Sequence, residues 1–401
     1  MKERIIVQCG IQIDDEYWFA AGNTNGLFKI NLLTSEQIFM GFFPDEDKTQ
    51  FRAYTDIKRV GNKLIFTPCF AKEIAVYNLD ENIFLKKSLS VYESGMNQYL
   101  KSVKYKNNVY FIPFSSSTFI KYDVCRDKIN VLSGWSELRS KHIKKGMSNL
   151  IIESVCVDSN YIYMFMSDRN QVIILDMDVD KFQVKTLNIS SDECICSVCK
   201  FDYRIWIVTD RNKIYQWDYI NNEILHTFDF GHYITDSDYI SHYAYTVDKY
   251  VYIINGYKKN IGVFDYINNK FTTIDMSKYI GDKTDDNVSL YYYFDIQNLN
   301  NKISLFSYYD GKYVIIDGIN VTDFISGFGL TEEYLEEVIM DKIFSHQLFY
   351  EGYTLREFSS LRSEEIKIIL FQNISVKKGQ NHYKEGIGRL IYNTLTKKEL
   401  Q

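Results

Sequence analysis

The chain has 401 residues with 46 basic and 52 acidic side chains, a formal charge of −6, and 46% of it is apolar. That charge excludes a general phosphate-backbone binder, which needs a positive field. The apolar share is enough for a sizeable core, and 33 Tyr and 27 Phe against 3 Pro favour strands over helices.

The opening MKERIIVQCG lacks the apolar stretch and small-residue cleavage site of a secretory signal. No run approaches the length of about 18 apolar residues that reads as a membrane span. Seven cysteines, odd in number and irregularly spaced, do not read as a disulfide framework. Together these features point to the reduced cytoplasm.

Taken in chain order, seven segments repeat one pattern: GLFKIN, EIAVYN, TFIKYD, QVIILD, KIYQWD, IGVFDY and KYVIID. Their closing polar residues are Asn31, Asn78, Asp123, Asp176, Asp218, Asp265 and Asp317, at steps of 47, 45, 53, 42, 47 and 52. Two units share whole words: SDRNQVIILD (167–176) mirrors TDRNKIYQWD (209–218), and DYINNEI (218–224) mirrors DYINNKF (265–271). Each unit holds four short alternating runs joined by turn residues. In the fifth these are CICSVCKF, RIWIVTD, KIYQWDY and EILHTFDF; in the sixth, SHYAYTV, YVYIINGY, IGVFDYI and KFTTIDM. Four antiparallel strands per repeat of this length make the blade of a β-propeller, whose faces are buried only when blades stack around an axis. Residues 1–328 are therefore expected to form an all-β, seven-bladed β-propeller. Six blades is the fallback, because the fourth run of the last unit (297–325), INVTDF, is a poor strand. The repeated Asp or Asn opens a turn, where its side chain caps backbone N–H groups two residues on.

The segment NGYKKNIGVFDYINNKFTTI (255–274) resembles the kelch pattern of a Gly turn, an aromatic–Asp pair and a later aromatic. NGLFKINLLTSEQI (25–38) is similar to the quinoprotein pattern of Gly, aromatic, alternating apolar residues and a turn. The resemblance implies the propeller fold; neither the quinone cofactor of some relatives nor the ubiquitin-ligase role of others is carried over, and no cofactor is expected.

Residues 329–401 change period. LTEEYLEEVIMDKIF (330–344) places Tyr334, Leu335, Val338, Ile339 and Ile343 on one helical stripe, with Thr331 as cap. A capping box runs from Thr354 to Glu357, and HYKEGIGRLIYNTL (382–395) is a further helix. Residues 331–366 sum to −6 and residues 367–401 to +5. Such a helical segment either packs on its surroundings or docks a partner.

Chemistry is less legible. Cys194, Cys196 and Cys199 have metal-like spacing, but on a strand the third faces away from the first two, and no metal site is expected. Cys156 and Cys199 occupy equivalent places in successive units and read as packing residues. No nucleophile elbow, phosphate loop, zinc-protease or dinucleotide motif is present, so no catalytic residue is assigned. Binding residues concentrate on long loops of a rigid scaffold. In a propeller, blade-to-blade connections and second-to-third-strand connections share one face. The first set supplies Arg52, Tyr54, Gln98, Tyr99, Trp135, Glu153, His232 and His242; the second supplies Asp168, Arg169, Asp210 and Arg211. Aromatic and Arg groups together suit a polar ligand or peptide, and the Asp-Arg pairs equally read as turn residues that bridge adjacent blades. The expected function is thus a non-enzymatic interaction scaffold. The alternative is an enzyme acting on a glycan or modified peptide, with His232, His242 and Glu153 in an axial funnel.

Overall fold

The computed structural model describes residues 5–22, 24–48, 52–89, 98–143, 150, 155–167, 170–233, 243–281, 292–299, 301–307, 311–326, 331 and 334. Seven four-stranded antiparallel sheets, each of four consecutive strands, span residues 7–42, 54–88, 99–131, 156–186, 195–229, 243–275 and 293–326. First strands contact one another between blades 1 and 2, 2 and 3, 4 and 5, and 5 and 6; the first strand of blade 6 meets the second of blade 7, and that of blade 1 also touches the first strand of blade 7. The sheets thus close into a seven-bladed β-propeller with the first strand of each blade at the axis. The seventh blade is complete. Its fourth strand, Asn320–Ser326, pairs along Lys312–Asp317. Its sequence reads as a poor strand because an outermost strand is half exposed and needs no continuous apolar run.

Burial follows position within the blade. Second and third strands such as Arg204–Thr209 and Lys213–Asp218 are buried at every residue but the first, because neighbouring blades cover both faces. Outer strands such as Lys181–Thr186 alternate between half-buried and exposed positions. Some tyrosines fill the seams with their rings and satisfy their hydroxyls on the next blade. Tyr110 donates to the Met177 carbonyl at 2.9 Å and Tyr252 to the Gly318 carbonyl at 2.9 Å.

All seven closing Asp or Asn residues end third strands, and six bond the turn that follows. Asp218 Oδ1 accepts the N–H groups of Ile220 and Asn221, and Asn31 Oδ1 those of Leu33 and Thr34. Asp265 makes the same turn, accepting from Ile267 and Asn268, and pairs with Lys249 at 2.8 Å. Burial works to raise the Asp265 carboxyl, but Lys249 and the two Asn268 donors outweigh it and hold it down at about 2. Its folded value lies below the ordinary value of about 4. The stabilisation is therefore present above that range and lost as pH falls towards about 2. Asp265→Ala should cost about 1 kcal/mol at neutral pH, as loss of a side-chain cap does. Asp265→Asn keeps the acceptor, as Asn31 and Asn78 do, and should cost less. Urea unfolding at pH 7 and pH 3 checks both expectations: the wild-type advantage over Asp265→Asn should shrink in acid.

The seam between blades 7 and 1 is fastened by Asp295, in the first strand of blade 7. It accepts hydrogen bonds from the Gly10 N–H at 3.1 Å, the Gln297 amide at 2.6 Å, and the Tyr17 and Tyr313 hydroxyls. Gly10 is required here because a Cβ would collide with the Tyr17 ring. Burial raises the Asp295 carboxyl above its ordinary range against the pull of these donors. Asp56 is the counterpart in blade 2. Its carboxylate takes the Ser102 N–H of blade 3 at 2.8 Å and Lys58 at 2.8 Å. Burial alone would raise Asp56, but Lys58, Lys101 and the Ser102 N–H bring it below its ordinary value. Both aspartates sit at bulges of first strands, between Tyr54 and Ile57 and between Phe294 and Gln297.

Blade 3 departs from the repeat. Its third and fourth strands are four residues each (Ile120–Asp123, Lys128–Val131), and helix α1 (Trp135–His142) follows. In the sequence this stretch reads as a loop between blades. The helix forms because Trp135 and Leu138, three residues apart, are both buried. Trp135 lies against Phe119 of blade 3 at 5.4 Å and Phe182 of blade 4 at 5.7 Å. Glu137 in the first turn and Arg139, Lys141 and His142 in the last suit the helix dipole.

Residues Glu3–Gly329 form one compact unit and Leu330–Gln401 a second. In the second, helical Tyr334 donates its N–H to Thr331 Oγ1 at 3.3 Å, the expected cap. The helix beyond Tyr334, the capping box at Thr354 and the helix over 382–395 lie outside the described residues. No helix among the described residues is long and apolar enough to cross a membrane.

Candidate binding face

Within a four-stranded meander, the connection from second to third strand emerges at the same end as the connection to the next blade. That loop face of blade 5 is built on a buried carboxylate. Glu193, just before the first strand (Ile195–Phe201), is 4% exposed. It accepts from Thr209 Oγ1 at 2.9 Å, Tyr215 at 2.9 Å and Lys213 at 2.6 Å. Burial raises this carboxyl, and the three donors, Lys213 first, outweigh it to leave a lowered value. The blade-to-blade connection is thereby tied to the second-to-third-strand loop.

The loop TDRN (209–212) is fixed at both ends. Asp210 donates its N–H to the Cys194 carbonyl at 3.0 Å, and its Oδ1 takes the Cys194 N–H at 2.9 Å. Asn212, in the left-handed region at φ 56°, accepts from the Phe230 N–H at 2.9 Å. Between these anchors Arg211 is exposed and makes no hydrogen bond or ion pair among the described residues. Asp192 lies nearby, its carboxyl lowered first by Ser190 and also by Arg211 and Lys213. In blade 4 the Asn170 amide of the matching word clamps the Leu187 and Ile189 carbonyls at 3.2 and 3.3 Å.

The other predicted residues divide sharply. Asp210, Arg211 and His232 are exposed on the blade 5 loops. Tyr54, Gln98, Tyr99 and Trp135 are buried and offer no surface to a ligand. Tyr54 and Tyr99 begin first strands, and their hydroxyls bond the Glu73 and Thr118 carbonyls. Gln98 holds the Ala71 carbonyl at 3.1 Å. These four read as loop residues in the sequence because they adjoin long connections; burial between blades corrects that. Arg52 is half-buried in the left-handed region at φ 50°, with its Nε lacking an acceptor. Glu153, Asp168, Arg169 and His242 lie outside the described residues. His226 is on the outer strand of blade 5, 3.4 Å from Asn269 Oδ1 of blade 6.

The cysteine trio is a strand edge. Cys196 is the bulged residue between Ile195 and Ser197, and Cys199 packs with Trp206. Burial pushes the Cys196 and Cys156 thiols up to about 12 and Cys199 well above its ordinary value, which disfavours the thiolate that a metal requires. Cys156 and Cys199 are packing residues at matching positions, opposite Tyr163 and Trp206.

No family model matches the chain, and no curated protein matches it. Among solved structures it is similar to streptogramin B lyase, with 13% identity, a TM-score of 0.53, and coverage of 81% of this chain and 96% of that one. It is also similar to the extracellular domain of the one-component system BT4673 from B. thetaiotaomicron, at 13% identity and a TM-score of 0.54. That match covers 79% of this chain and 39% of the other. The computationally designed Ika8 protein matches at 10% identity and a TM-score of 0.53, over 82% of this chain and 89% of its own. These likenesses are of fold.

Proposed function

We propose that this chain is a non-catalytic interaction module that presents the loop face of its propeller to a protein or peptide partner. The observation that carries the reading is Arg211, an exposed guanidinium on a loop anchored at Asp210 and Asn212. A guanidinium held in place loses little freedom on meeting a carboxylate or a peptide carbonyl. Buried carboxylates support the same reading from the other side. Asp56 and Asp295 already accept donors across a seam, and Glu193 accepts three within blade 5, so they tie the propeller together rather than stand ready for proton transfer. The reading includes a cytoplasmic location, supported by the odd count and irregular spacing of the seven cysteines.

Affinity purification of the intact protein from its host, followed by mass spectrometry, tests this. A stoichiometric partner held by the wild type should be retained at least about tenfold less by Arg211→Ala, the loss expected for an interfacial Arg. The circular dichroism spectrum should stay unchanged. Equal retention by the variant, or a small molecule turned over by the purified protein, would overturn the reading.

A further inference from the structure

The interval from Asp123 to Asp176, at 53 residues, is the longest in the repeat, and it contains α1. The helix leaves an open groove of about 400 Å³ against the outer strand of blade 4. One wall is helical, with Glu137 and Lys141; the other is the run of consecutive strand residues from Asp180 to Val184. That strand, Lys181–Thr186, pairs with the third strand on one side only. On its other side it makes no backbone hydrogen bond among the described residues. Alternate N–H and C=O groups along such an edge are open to another strand.

Charge in the groove is unevenly settled. Glu137 is paired with Lys141 at 2.7 Å, and Asp180 with Lys121 and the Tyr110 hydroxyl. Lys181 is exposed and has no hydrogen bond or ion pair among the described residues. The strand alternates, so Lys181 and Gln183 share one face, while Phe182, which packs on Trp135, lies on the other.

We infer that this groove receives an extended peptide that adds a fifth strand to blade 4 and sets a carboxylate against Lys181. Main-chain hydrogen bonds along the edge supply affinity, and the alternate side chains supply selectivity: apolar towards Phe182, acidic towards Lys181. The inference rests on the interaction-module reading but concerns a different surface from the Arg211 loop.

The test uses the full chain and a fluorescein-labelled peptide of four Glu-Val repeats, measured by fluorescence anisotropy. Lys181→Glu should weaken binding about tenfold, the effect of losing one charge pair and gaining a repulsion. Lys270→Glu, at the matching position of the outer strand of blade 6, should change it less than about twofold. Backbone N-methylation of the peptide should abolish binding, since strand addition needs its N–H groups. No binding by the wild type, equal loss in Lys270→Glu, or undiminished binding of the N-methylated peptide would overturn the inference. Arg211→Ala should leave this peptide bound, so failure here and failure of the loop-face reading are separate results.

Discussion

Asp295→Ala is expected to destabilise the propeller by about 3–5 kcal/mol, the range for removing one partner from a buried polar cluster. The carboxylate accepts from Gly10, Tyr17, Gln297 and Tyr313, and truncation removes the acceptor that these four donors share in the seam that closes the ring, leaving Gln297 and Tyr313 their bonds to Gly10 and Tyr17. Asp295→Asn should cost less, because an amide oxygen can still serve some of them. Urea unfolding followed by tryptophan fluorescence measures both. A loss below about 1 kcal/mol would show that packing alone holds the seam. The pH dependence has the opposite sign to that of Asp265. Burial raises the Asp295 carboxyl, so its contribution is largest below the ordinary carboxylate range and declines as pH rises through the raised value. The wild-type advantage over Asp295→Asn should therefore narrow from acid towards neutral pH.

Trp135→Ala is expected to cost about 3–5 kcal/mol, as truncation of a buried aromatic does. The indole is 2% exposed and joins Phe119 to Phe182 across the seam of blades 3 and 4. Trp135→Phe should recover most of the loss, since the indole N–H is buried without an acceptor and its removal relieves an unsatisfied donor. Thermal unfolding compares the two variants. If Trp135 instead bound a ligand, Trp135→Ala would unfold at the wild-type temperature and lose only binding.

The blades were legible because the signal for each is local. An Asp or Asn that closes a third strand and bonds N–H groups of the turn after it needs no knowledge of the rest of the chain, and seven such closing residues at steps of 42 to 53 count the blades. Residues such as Tyr54, Gln98 and Tyr99 were harder to place, because a first strand begins at the end of a long connection and sequence alone does not say which residue crosses from solvent into the seam. Helix α1 was missed for a related reason: two apolar residues in a charged stretch make a weak stripe. Asp56 and Asp295 also escaped notice, although a signal exists. TDIKRV (55–60) and FDIQNL (294–299) place Asp-Ile at matching points of two first strands, and an acidic residue inside an otherwise strand-like run announces an internal donor set.

Each sheet is made of four consecutive strands, and the ring closes through side chains rather than by a strand lent from one end of the chain to the other. The stretch of gene that encodes one repeat therefore encodes one whole blade. Duplicating or losing such a stretch adds or removes a complete sheet and leaves no half-built one with an unpaired edge. The near-identical words in blades 4, 5 and 6 fit growth by that route.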